Sequence, residues 1–194
     1  NRKAIKYAVP PEGEEDKRFR GSTHYEKIAD CVYDIDGAVD FLHVNGYKKL
    51  YLIGHSTGAN KICAYHARKH ADTFSKYVLS GPGDDSGNSF CELGEKKFWQ
   101  AIIYARQAIK AGKPLKKMPR YTGMYPFSAQ STEDILDPDG AYNTFPFYEA
   151  TTKRLGKKQL FKEVRTLNRP TLVIMGEQDE YAYTAGGVPQ AMTL

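Results

Sequence analysis

A glycine-x-serine-x-glycine pentapeptide, Gly54-His55-Ser56-Thr57-Gly58, separates a short apolar run from an amphipathic stretch, and few folds accommodate that arrangement. The run before it, LysLysLeuTyrLeuIleGly, has the length and composition of a buried parallel strand. After it, Thr57 to about His70 offers Ile62, Ala64, Tyr65 and Ala67 for packing, as a helix does. A serine in so sharp a strand-to-helix turn needs small residues two positions to either side, and Gly54 and Gly58 meet that need. Its hydroxyl then stands above the carboxyl end of a sheet, where the helix N-terminus and the Thr57 N–H favour an oxyanion. The plainer reading of the same residues is a glycine-rich turn in which Ser56 or Thr57 merely caps the helix. The strand before, the helix after and the two glycines together favour the chemical reading.

The surrounding sequence alternates between helix and strand. Its first twenty residues are charged, contain Pro10-Pro11 and read as an entry loop. Between Tyr25 and His43, Ile28, Val32, Ile35, Val39 and Leu42 form one stripe of a helix whose polar side carries Asp30, Asp34, Asp36 and Asp40. Gly46 follows as a stop. PheSerLysTyrValLeuSerGly resembles a second buried strand and ProThrLeuValIleMetGly, resuming at Pro170, a third. Strands alternating with helices predict an α/β fold with a mostly parallel sheet and crossover helices.

Between Gly83 and about Asn168 the pattern changes to helices and loops rich in proline and tyrosine, with no convincing core strand. Phe98 to Ile109 has helical spacing, ThrGluAspIleLeuAsp near residue 134 suits a short capped helix, and Leu160 to Leu167 suggests an amphipathic piece. The expected organisation is an α/β core of residues 1–82 and 169–194 interrupted by a helical lid, residues 83–168. The lid's aromatics, among them Trp99, Tyr104, Tyr121, Tyr125, Phe127, Tyr142, Phe145, Phe147 and Tyr148, suit a hydrophobic or aromatic acyl group or, equally, a small core of the lid's own.

Composition narrows the partners. With 194 residues, 41% of them hydrophobic, the chain has material for a sizeable core. A net charge of +5 with both signs interspersed falls short of a nucleic-acid face, so no nucleic-acid partner is expected. Local basic excess at Lys110 to Lys117 and Lys153 to Arg165 hints weakly at an anionic substrate or surface. No run of 18 apolar residues is present, and the first residues lack the apolar segment of a signal peptide. Cys31, Cys63 and Cys91 are far apart, without CxxC spacing, and read as reduced thiols rather than disulfides or metal ligands, in keeping with a cytoplasmic location.

A nucleophilic serine requires a base and an orienting acid. Asp179, a few residues past the third strand, falls on the same sheet edge as Ser56; Glu177 is its neighbouring alternative, and Asp84 or Asp85, past the second strand, is the runner-up. The histidines are His24, His43, His55, His66 and His70, and none follows Asp179. His66 and His70 read as surface or interface residues on the helix leaving Ser56. His55 reads as a packing or supporting residue, because neighbours on a sharp turn diverge.

From about Tyr25 to the end, these motifs resemble the α/β-hydrolase superfamily, through GlyHisSerThrGly with its flanking elements, PheSerLysTyrValLeuSerGlyProGly and ThrLeuValIleMetGlyGluGlnAspGluTyr. AspCysValTyrAspIleAspGlyAlaValAspPheLeu and TrpGlnAlaIleIleTyrAlaArg are similar to segments of little-characterised hydrolases with a GHSTG elbow, including relatives of fungal siderophore esterases. The resemblance implies Ser56 as nucleophile, Asp179 as acid, the Thr57 N–H as half of an oxyanion hole, and a lid over Phe90 to Leu167. It also implies earlier strands bearing a second oxyanion donor and a later strand with the catalytic histidine, so the chain reads as the middle of a longer fold whose open sheet edges would otherwise be costly.

The expected function is hydrolysis of a carboxylic ester or related acyl bond in a small molecule through an acyl-enzyme on Ser56, with no metal or organic cofactor required. An acyltransferase or thioesterase uses the same elbow. A non-catalytic binding module is the remaining alternative, since the triad histidine is not found in this chain.

Overall fold

A computed structural model describes residues 23–69, 72–177 and 179. The charged entry segment and His70 lie outside those residues. A 3-10 turn at Ile28–Asp30 leads into helix α1, Cys31–Val44, so the helix expected from Tyr25 begins six residues later. Its end follows the glycine signal. Gly46 adopts φ 87°, its N–H donates to His43 O, and the Tyr47 N–H donates to Leu42 O, satisfying the last carbonyls.

Strand β1, Leu50–His55, passes directly into helix α2, Thr57–Lys69, which returns the chain to β2, Phe74–Ser80. Strand β3, Thr171–Ile174, pairs on the other side of β2, giving a parallel sheet in the order β1-β2-β3. His55 is level with Ser80, and Ser80 with Ile174, so all three strands end along one edge. The α2 side of the sheet is well packed: Ile62, Cys63, Tyr65, Phe74, Tyr77 and Leu79 are buried together. β1 and β3 are less enclosed than their composition predicts. Ile53 is 69% and Leu172 56% exposed, and on β1 the exposed Tyr51, Ile53 and His55 alternate with better-covered residues, so one face of that strand lacks cover among the described residues.

The intervening residues hold helices α3 (Asp85–Leu93), α4 (Glu95–Lys110), α5 (Ala129–Leu136) and α6 (Phe147–Thr151), and no named strand. Ser128 caps α5 by accepting from the Ser131 N–H. Leu160 to Leu167 contains a 3-10 turn, Val164–Thr166, in place of a longer amphipathic helix.

The apolar residues of this stretch divide between two cores. Phe90, Phe98, Ala101, Ile102, Ala105, Met118, Met124 and Leu136 form a separate helical core. Phe145, Phe147 and Phe161 join the core beneath the sheet instead. Part of the basic excess is engaged within the same region. Lys153 pairs with Glu95, Arg154 with Glu149 and Lys158 with Glu163, while Lys116 lies over the Tyr104 ring. No helix among the described residues is long and apolar enough to cross a membrane.

Candidate active site

Ser56 occupies the single position between β1 and α2 and has φ 53°. That left-handed conformation costs a non-glycine residue on the order of 1–2 kcal/mol. It is held on both sides: the Ser56 N–H donates to Ser80 O, and its own carbonyl accepts from the Ala59 N–H, each at 2.8 Å. Ser56 and His55 are exposed, and Thr57 is half-buried.

The two glycines of the pentapeptide are not equivalent. A β-carbon on Gly54 would collide with the carbonyl group of Gly58 and come within 2.8 Å of Ala59 N. A β-carbon on Gly58 would meet nothing within 4 Å. The close approach of strand to helix therefore falls on Gly54, and the expected need for a small residue on both sides of the serine reduces to that one position.

The edge beside Ser56 continues through Gly81, whose N–H donates to Ile174 O at 2.7 Å. Gly81 has φ 55°, and a β-carbon there would lie 3.3 Å from Asp179 Oδ2 and 3.9 Å from His55 Nε2. The half-buried Asp179 thus reaches the end of β2 next to the elbow, and its N–H closes a turn onto Gly176 O at 3.2 Å. Glu177 in the same turn is exposed.

Asp84 is a buried cap. Its Oδ1 accepts from the Gly87 N–H at 2.7 Å and its Oδ2 from the Tyr148 N–H at 2.8 Å, tying the sheet edge to α3 and α6. Burial pushes its carboxyl up to about 7, against the opposing pull of those two N–H groups. Asp85 hydrogen-bonds Tyr142 instead, and burial raises its carboxyl too. The Tyr142 hydroxyl also lies 3.4 Å from Thr57 Oγ1.

The remaining histidines lie elsewhere. His24 packs edge-on against Phe127 and His43 is exposed near the end of α1. His66, expected at the surface or an interface, is 1% exposed: its Nδ1 is 2.8 Å from the Tyr77 hydroxyl and its ring stands edge-on to that of Tyr77, so a partner on β2 facing α2 draws it inward. The three cysteines are free thiols, Cys31 and Cys63 buried and Cys91 exposed. Among the described residues no group of three or more His, Cys, Asp or Glu is placed to hold a metal ion.

The model of one protein family, described as serine aminopeptidase, S33, matches residues 13–191. The chain belongs to that family, within the α/β-hydrolase superfamily. Among solved structures, this S33-family chain is similar to a probable hydrolytic enzyme from Pseudomonas aeruginosa PAO1, at 15% identity and a TM-score of 0.39. The similarity covers 87% of this chain and 54% of the other, so the S33-family chain spans about half the length of that structure. No curated protein matches it.

Two supports of the S33-family elbow escape a reading of motifs. Asn60, buried in α2, donates from Nδ2 to Gly83 O at 2.9 Å and accepts at Oδ1 from the Gly83 N–H at 3.4 Å, so it holds the loop after β2 against the helix. Its local signal is only a polar residue where the helix faces the core. Tyr142 stands out in sequence only as one aromatic among many, and its partners Asp85 and Thr57 come from distant segments.

Proposed function

We propose that this chain carries the nucleophile and the acid of a serine hydrolase that cleaves a carboxylic ester or related acyl bond in a small molecule. The supporting observation is the positive φ of Ser56 at the strand-to-helix turn, a strained conformation that a simple helix cap does not need. In this reading Ser56 Oγ attacks the carbonyl carbon, and the Thr57 N–H donates to the oxyanion that forms. Asp179 orients an imidazole that takes the serine proton and returns it to the leaving group. That role is assigned to none of His24, His43 and His66, which lie away from the elbow. His55 is read as a packing or supporting residue of the turn.

Residues 83–168 act as the lid, with the helical core around Phe98 as its body. The Phe145, Phe147 and Phe161 side chains anchor it to the sheet. The acyl group is taken as hydrophobic or aromatic, in keeping with the aromatic content of this region, of which Tyr142 reaches Thr57.

A fluorophosphonate probe together with p-nitrophenyl butyrate tests the reading on the full-length protein. Labelling at Ser56 and turnover, both lost in Ser56→Ala, are expected. A protein that is neither labelled nor active is a binding module instead.

A further inference from the structure

Tyr142, between α5 and α6, brings the insertion to the start of α2 through one hydroxyl. That hydroxyl hydrogen-bonds the carboxylate of Asp85, the first residue of α3, and lies 3.4 Å from Thr57 Oγ1. The Tyr142 hydroxyl thus stands between the Asp85 carboxyl and the Thr57 hydroxyl, and it donates to Thr57 Oγ1. Burial and the adjacent Asp85 push the phenol above its ordinary range, which keeps its proton in place at working pH. Tyr142 in turn opposes the rise that burial imposes on Asp85.

Thr57 is the first residue of α2, and the N–H groups of a helix's first turn have no partners within the helix. Their aim depends on what else holds the turn. Ser56 O receives the Ala59 N–H from below, and the Thr57 side chain is secured from the insertion side.

We infer that Tyr142 is a positioning residue of the serine site: through the linked contacts Asp85–Tyr142–Thr57 it fixes the first turn of α2 and so aims the Thr57 N–H at the developing oxyanion. The inference rests on Ser56 being the nucleophile. Preorganised donors stabilise a transition state because they need not reorganise as charge develops, and small errors in aim are costly. Loss of the hydroxyl therefore slows the covalent step while leaving substrate capture nearly unchanged.

The rate at which a fluorophosphonate modifies Ser56 in the full-length protein tests this without knowledge of the substrate. Tyr142→Phe is expected to slow labelling about tenfold and to lower kcat on p-nitrophenyl butyrate by a similar factor, with KM changed less than twofold. Thr57→Val removes the same contact from the other end, and the double variant is expected to be no slower than either single one. A Tyr142→Phe protein labelled within twofold of wild type overturns the inference, as do fully additive effects of the two substitutions. A rise in KM at unchanged kcat overturns it too. A wild-type protein that resists labelling at Ser56 overturns the serine reading itself, and the role of Tyr142 with it.

Discussion

A β-carbon on Gly81 would sit 3.3 Å from Asp179 Oδ2, so the glycine at the end of β2 leaves the space into which the carboxylate reaches. Gly81 also has φ 55°, which favours glycine for a second reason. Gly81→Ala is expected to displace Asp179 and lower kcat of the full-length protein about tenfold to a hundredfold, the scale of a small misplacement in a catalytic group. Steady-state kinetics beside a thermal melt separate this from unfolding: an alanine variant with native melting temperature and native kcat contradicts the assigned role of Asp179.

The inequality of Gly54 and Gly58 gives a paired test. Gly54→Ala drives a methyl group into the Gly58 peptide and is expected to cost about 2 kcal/mol or more, in the range of overpacked sites. Gly58→Ala meets open space within a helix and is expected to stabilise by about 0.5–1 kcal/mol through helix propensity. Urea denaturation of both variants decides it, and equal destabilisation would contradict the geometry of the turn.

If Ser56 stores backbone strain, glycine releases it and alanine does not. Ser56→Gly and Ser56→Ala remove the same hydroxyl, yet the glycine protein is expected to be about 1 kcal/mol the more stable. Chemical denaturation measures the difference. Glycine ordinarily costs stability through its flexible unfolded chain, so the reverse order would count against strain at the elbow.

Asp84 makes stability depend on pH in a predictable direction. Its carboxyl titrates near 7 when folded and near 3.8 otherwise, so between these values the folded protein keeps a proton that the unfolded chain releases. The resulting stabilisation is full below about 4 and is lost as pH rises through about 7. Asp134, raised to about 6, acts in the same sense and is common to wild type and variant. Across pH 4 to 8, the melting temperature of wild type is expected to fall about 10 °C more than that of Asp84→Asn, the equivalent of ~4 kcal/mol at this size. Parallel curves for the two proteins would rule out the titration of Asp84 as the cause.

Features set by near neighbours in the chain could be read from the residues alone. Alternating strand and helix, the Gly46 stop, the elbow at Ser56 and the three strand segments all follow from local periodicity and turn chemistry. Partners supplied by distant segments could not. Asp84, considered a spare acid, has both oxygens engaged by backbone N–H groups, one of them from Tyr148. His66 reads as a surface or interface residue from its place on the helix leaving Ser56, and Tyr77 on β2 provides the contact that buries it. The aromatics of the insertion could be counted but not apportioned, and Phe145 and Phe147 went to the sheet while Phe98 went to the helical core.

Tyr148 packs against both of those cores, and its backbone N–H is held by Asp84. One ring shared by two apolar clusters makes them thermodynamic neighbours: loosening either exposes a face of the same side chain to water. The helical body and the sheet are therefore expected to melt as one cooperative unit, with the elbow drawing its rigidity from residues far from it in the chain.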